Sequence, residues 1–102
     1  MPGIDYAAVR ARVSLGDILE LLGFEPMMRR GDYLRGPCPL DCSRDPRAFV
    51  VDLSINRYYC QTCKSFGNQL DLWSRVQKRQ IFPATEDLCR RLNIEVPRIY
   101  RW

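Results

Sequence analysis

Apolar positions along this chain fall first into helical spacing, then into alternation, then back into helical spacing. In "SLGDILELLGFEP" (14–26), Leu15, Ile18, Leu19 and Leu22 recur at the three- and four-residue intervals of one helix face. Ser14 stands where an N-cap belongs, and Asp17 follows at the capping-box position. Gly23 can take the left-handed conformation that ends a helix, and Pro26 keeps the helix from resuming. Upstream, "DYAAVRARV" predicts a further turn or two of helix with Asp5 as its cap.

The pattern changes after Pro26. "MMRRGDYLRGPC" (27–38) holds two short β-like runs on either side of Gly31-Asp32, which predicts a hairpin. In "RAFVVDL" (47–53), Phe49, Val51 and Leu53 alternate onto one face while Val50 and Asp52 take the other. "SIN" (54–56) turns the chain, and "RYYC" (57–60) pairs back. The centre therefore reads as a small antiparallel sheet.

Helical spacing returns in "GNQLDLWSRVQKRQ" (67–80), where Leu70, Trp73, Val76 and Gln77 share a side and Asn68 is placed to cap. A last short helix lies within "FPATEDLCRRLNIEVP" (82–97), with Thr85 as cap or Pro83 in its first turn. Leu88 and Leu92 form an i, i+4 apolar pair, with Cys89 beside them as a buried, inert small residue. "RIYRW" ends the chain as a basic, aromatic tail. The fold class expected is α+β: a small antiparallel ribbon flanked by short helices. It forms one domain, 1–102, made of a helical segment (1–26), a ribbon (27–66), C-terminal helices (67–97) and a tail (98–102).

Composition narrows this picture. The chain has 102 residues, 46% hydrophobic and 27% charged, which suits one folded domain with a modest core. A core of that size benefits from a staple. The net charge is +4, from 16 basic and 12 acidic residues. Only Lys64 and Lys78 are lysines; the rest are arginines, whose planar forks suit phosphates and base edges. A codon bias toward arginine would give the same count. The N-terminus lacks an apolar run of signal-peptide length, and no stretch approaches a membrane span. A cytoplasmic location is expected, and structural disulfides are not.

Four of the five cysteines lie in two tight pairs, Cys38/Cys42 and Cys60/Cys63, and there is no histidine. The options are two disulfides, a redox pair, an iron–sulfur cluster or one zinc ion. An odd cysteine count argues against full disulfide pairing. Cys60-Gln61-Thr62-Cys63 follows a strand but opens no thioredoxin-like helix, which argues against redox work. Zinc favours thiolate in a tetrahedron, and two hairpin-borne pairs can deliver four ligands. The expected ligands are Cys38, Cys42, Cys60 and Cys63, with Asp41 as the alternative to Cys42 because a carboxylate also binds zinc. Such a closed site leaves no position to activate water, so its role is structural.

The ordered set "DILELLG…GDYLRGPCPLD…PRAFVVDLSINRYYCQTCKSFGNQLDLW…LCRRLNIEVP" resembles the N-terminal zinc-binding domain of bacterial and phage DNA primases. The similarity runs from about Ile4 to Pro97. Two departures stand out. Asp41 occupies the place of the histidine in that family's Cys-Pro-x-His knuckle. Nothing in the chain resembles the catalytic domain that synthesises primers, so it is not expected to be an enzyme by itself.

In the resembled family this domain engages single-stranded template and helps select where priming begins. The resemblance therefore implies single-stranded DNA as partner, and an accessory role to a separately encoded replication or mobile-element enzyme. Arg29, Arg30, Arg35, Arg44, Arg47, Arg57 and Lys64 lie in or beside the ribbon, and Tyr33, Tyr58 and Tyr59 lie on its strands. Cations that track phosphates and aromatics that stack on bases make a sequence-tolerant single-strand site. Neighbours on a strand face opposite ways, so one of Tyr58 and Tyr59 points inward. Arg47 and Arg57 bracket the hairpin and are the first choices for contact. The alternative reading is a protein–protein adaptor that docks on a partner without binding nucleic acid.

Overall fold

In the computed structural model, which describes residues 3–40 and 45–99, the two N-terminal helices form where their caps predict. Helix α1 (Tyr6–Arg12) is capped by the Asp5 carboxylate, which accepts from the Ala8 N–H. Helix α2 (Leu15–Leu21) opens on a complete capping box between Ser14 and Asp17. It ends at Leu22, and Gly23 takes φ +67°. Leu15, Ile18 and Leu19 are buried, so this helix packs through the face its spacing marks out.

The ribbon is a five-stranded antiparallel sheet in sequential order. Its strands are β2 (Met28–Arg30), β3 (Tyr33–Gly36), β4 (Phe49–Asp52), β5 (Arg57–Cys60) and β6 (Phe66–Gly67). Alternation decides its faces. Leu34, Phe49, Val51, Tyr58 and Cys60 point into the core, while Val50, Asp52, Arg57 and Tyr59 point away. Along the inner face Phe49 stacks on Tyr58 at 5.4 Å and meets Phe24 edge-on at 5.5 Å. The helices cover this inner face. Asn56, in the β4–β5 turn at φ +51°, accepts the Leu15 N–H on its side-chain oxygen, so the turn supports the start of α2.

Helix α3 (Gln69–Gln77) is capped by Asn68, with Asp71 completing a second capping box. The buried Gln69 donates to the carbonyls of Arg10 and Val13 and ties α3 to the end of α1. Helix α4 (Ile81–Arg91) packs on α3 and buries Leu88 and Cys89. Trp73 is buried between these layers, and the Arg91 guanidinium lies over its ring at 5.5 Å.

Several expectations need correction. Thr85 does not cap the last helix. Gln80 occupies that position with no side-chain bond, Pro83 falls in the first turn, and Thr85 is buried inside the helix. That helix runs Ile81–Arg91, so it begins one residue before the stretch expected to hold it and ends inside that stretch. Gly67 closes β6 opposite Tyr58 rather than opening α3. Within the tail, Arg98–Ile99 forms β7, which pairs with β1 (Gly3–Ile4), a pairing the sequence did not suggest. Tyr100, Arg101 and Trp102 lie outside the described residues.

Candidate metal centre and sheet face

Three cysteines converge at one end of the sheet. Cys38 follows β3, Cys60 ends β5, and Cys63 sits in the tight turn just beyond. Their sulfurs all lie within 4.8 Å of one another, with Cys38 and Cys60 buried and Cys63 exposed. A tetrahedral zinc with bonds of about 2.3 Å needs sulfurs roughly 3.8 Å apart, so this cluster suits the ion. Among the described residues it is the only group of three or more metal-binding side chains placed this way. Cys42, its alternative Asp41, and Arg44 lie outside the described residues.

The backbone holds this arrangement firmly. The Cys60 N–H donates to the Ser65 carbonyl and the Lys64 N–H to the Cys60 carbonyl, each at 2.9 Å. The Gln61 N–H reaches the Ala48 carbonyl at 2.8 Å and anchors the knuckle to the approach of β4. Lys64 takes φ +61° to close the turn. Arg75 of α3 braces it from outside, donating to the Phe66 carbonyl at 2.6 Å, to Ser65 Oγ at 3.1 Å and to the Tyr58 hydroxyl. Sequence reasoning missed Arg75, because a helical surface arginine carries no signal of such a reach.

Cys89 stands apart from the cluster. It is buried in α4, and burial pushes its thiol above the ordinary value despite Arg12 and Arg98 nearby. An uncharged, enclosed thiol is poorly reactive, consistent with a packing role.

The outer sheet face gathers a second set of residues. One cross-strand row runs Arg30, Tyr33, Asp52, Arg57, and the next runs Met28, Arg35, Val50, Tyr59, Phe66. Tyr33, Tyr59 and Phe66 are 57%, 40% and 66% exposed, so their rings are open to a partner. Met28, Arg30, Tyr33, Arg35 and Val50 line a shallow depression of about 360 Å³ on this face. Asp52 is the one carboxylate in these rows. Hydrogen bonds from Ser54, partly offset by desolvation and supplemented by Tyr33, hold its carboxyl below the ordinary value.

Of the ten nucleic-acid candidates, Arg30, Tyr33, Arg35, Arg57 and Tyr59 share this face. Tyr58 does not. It is 2% exposed, stacked on Phe49 with its hydroxyl bonded to Ser65, and it presents no free ring face. Arg29 alternates to the other side of the edge strand, where its Nε donates to the Gly31 carbonyl. Arg47 and Lys64 are exposed in turns near the metal end, outside the two rows, so Arg47 does not share the ladder position of Arg57. Phe66 was missed because a two-residue strand shows no alternation.

A sulfur cluster at the end of an antiparallel ribbon, backed by short helices, defines a ribbon-type zinc-binding domain. This chain belongs to the CHC2 zinc finger family, whose model matches residues 4–101. It is 31% identical over 81 residues to a DNA primase of Treponema pallidum (strain Nichols), covering 78% of this chain and 13% of that protein. It is 29% identical over 84 residues to a DNA primase of Pasteurella multocida (strain Pm70), covering 80% of this chain and 14% of that one. The chain thus spans about one seventh of these curated relatives. Its structure is similar to that of the Aquifex aeolicus primase zinc-binding and RNA polymerase domains, with a TM-score of 0.75 and 20% identity over 92% of this chain and 23% of that one. That likeness concerns the fold. Zinc is the cofactor of the family, and the three sulfurs fit it. No helix among the described residues is long and apolar enough to cross a membrane.

Proposed function

We propose that this protein is a single-stranded DNA-binding module, folded as one unit over residues 1–102, in which zinc holds the ribbon and the outer sheet face receives the strand. Cys38, Cys60 and Cys63 ligate the ion with Cys42, and Asp41 is the alternative fourth ligand. Bound zinc would lock the far ends of β3 and β5 together, and so fix the spacing of the strands that carry the outer face. The ion has no catalytic part, and the chain itself does not polymerise nucleotides.

The observation that carries this reading is the strand register. It lines up Tyr33, Tyr59 and Phe66 with Arg30, Arg35 and Arg57 on the side of the sheet facing away from the core. Stacking on exposed rings contributes ~1–3 kcal/mol per base, and arginines supply phosphate contacts beside them. The module would serve a separately encoded replication or mobile-element enzyme in the cytoplasm, holding template for it.

Titration of a fluorescent single-stranded oligonucleotide against zinc-loaded protein tests this. Tyr59→Ala and Phe66→Ala are expected to weaken binding roughly tenfold each. Absence of any binding, with a partner protein held through the same face, would support the adaptor reading instead.

A further inference from the structure

Beyond the sheet, a cleft of about 290 Å³ opens where α1, the β4–β5 turn and the start of α3 meet. Arg10, Ile55, Asn56, Arg57 and Asn68 line it, and none of its lining residues is acidic. Both arginines are exposed. The two asparagines are oriented by the fold. Asn56 spends its side-chain oxygen on the Leu15 N–H, and Asn68 spends its own on the N–H groups of Leu70 and Asp71. Each must therefore turn its NH₂ end, a pure donor, away from those bonds. The walls are preformed, since Gln69 ties the backbone of Arg10 and Val13 to α3.

Two guanidinium groups and two amide donors, with no carboxylate among them, describe an acceptor-only ligand of negative charge. Arg57 belongs both to this cleft and to the outer row Arg30–Tyr33–Asp52–Arg57. We infer that the cleft is a phosphate subsite, in which a backbone phosphodiester of a strand leaving the sheet past Arg57 is held by Arg10, Arg57 and the amides of Asn56 and Asn68. The identity of this ligand rests on the proposed function of the sheet face. Arg10 is the residue it adds to that surface.

The test compares Arg10→Gln with Arg12→Gln. These change the net charge equally, on the same helix, but Arg12 does not line the cleft. One phosphate contact to a single strand contributes about 0.7 to the slope of log K against log salt, or about fivefold in affinity at ~0.1 M salt. Arg10→Gln should produce that loss and that shallower slope, Arg12→Gln should not, and the side-chain NH₂ resonances of Asn56 and Asn68 should shift when the oligonucleotide binds. Equal effects of the two variants, or no effect of Arg10→Gln, would overturn the subsite and leave the sheet-face reading intact. If ATP alone shifts the same resonances and competes at Arg10, the occupant is a free nucleotide and the strand assignment fails. If the wild-type protein binds no oligonucleotide, the sheet-face reading fails and takes the strand path with it.

Discussion

Gly36 passes so close to Phe24 that a Cβ on the glycine would lie 2.7 Å from the Cζ of the ring. The same Cβ would meet the Pro26 backbone at 3.2 Å. Phe24 cannot simply swing away, because it packs edge-on against Phe49. Gly36 also pairs with Phe49 in the ladder and stands two residues before Cys38, so this contact seats the entry to the metal site. Gly36→Ala is therefore expected to destabilise the zinc-loaded protein by about 1–3 kcal/mol. Urea unfolding midpoints at fixed zinc would measure this, and an unchanged midpoint would show that the contact has slack.

Replacement of Cys60 by serine removes a buried thiolate from the centre of the cluster. Structural zinc binding is worth about 10–16 kcal/mol in small zinc peptides, comparable with the whole stability of a domain, ~5–15 kcal/mol. Cys60→Ser should abolish stoichiometric zinc and unfold the sheet, as read by metal analysis and circular dichroism. Cys89→Ala, in α4, should keep its zinc. A folded, metal-free Cys60→Ser protein would refute the structural role of the ion.

Arg75 donates to Phe66, Ser65 and Tyr58 from the exposed side of α3. Arg75→Met keeps most of the unbranched stem and removes these donors. Tyr58 and Ser65 retain their mutual bond at 2.9 Å, so the loss falls mainly on the Phe66 carbonyl. The expected cost is about 1–2 kcal/mol. Amide exchange at Lys64 and Phe66 should speed up, while exchange in α2 should stay unchanged.

Asp52 titrates below the ordinary carboxylate value, chiefly because Ser54 donates to it. A depressed folded value means that its contribution is present above the unfolded carboxylate range and is lost as pH falls through the lower, folded value. The Ser54 amide resonance should therefore follow the Asp52 carboxyl at acidic pH and stay flat near neutrality. Asp52→Asn, which still accepts from Ser54, should abolish that titration and preserve the turn.

The legible parts of this fold were those with a repeating local cause. The Ser14–Asp17 box, the hairpin around Gly31 and the alternation through Phe49 and Val51 each follow from neighbours in sequence. The Cys60/Cys63 pair was legible for the same reason, since its knuckle is a local turn. Pairing of Gly3–Ile4 with Arg98–Ile99 was hidden, because two-residue ladders between distant segments leave no period. Phe66 and Arg75 were hidden for related reasons: one sits on a strand too short to alternate, the other acts through its length. At the start of α4 the sequence left two choices open, Thr85 as cap or Pro83 in the first turn; Gln80 makes no side-chain cap, so no polar side chain marked the boundary, and Pro83 is the choice that holds.

The central claim is that zinc organises the ribbon whose outer face holds a single strand. It is tested most directly by measuring affinity for one fluorescent single-stranded oligonucleotide as metal is removed with a chelator and then restored. Binding should disappear as zinc leaves and return when one equivalent is added back. Affinity that stays unchanged in verified metal-free protein would contradict the account.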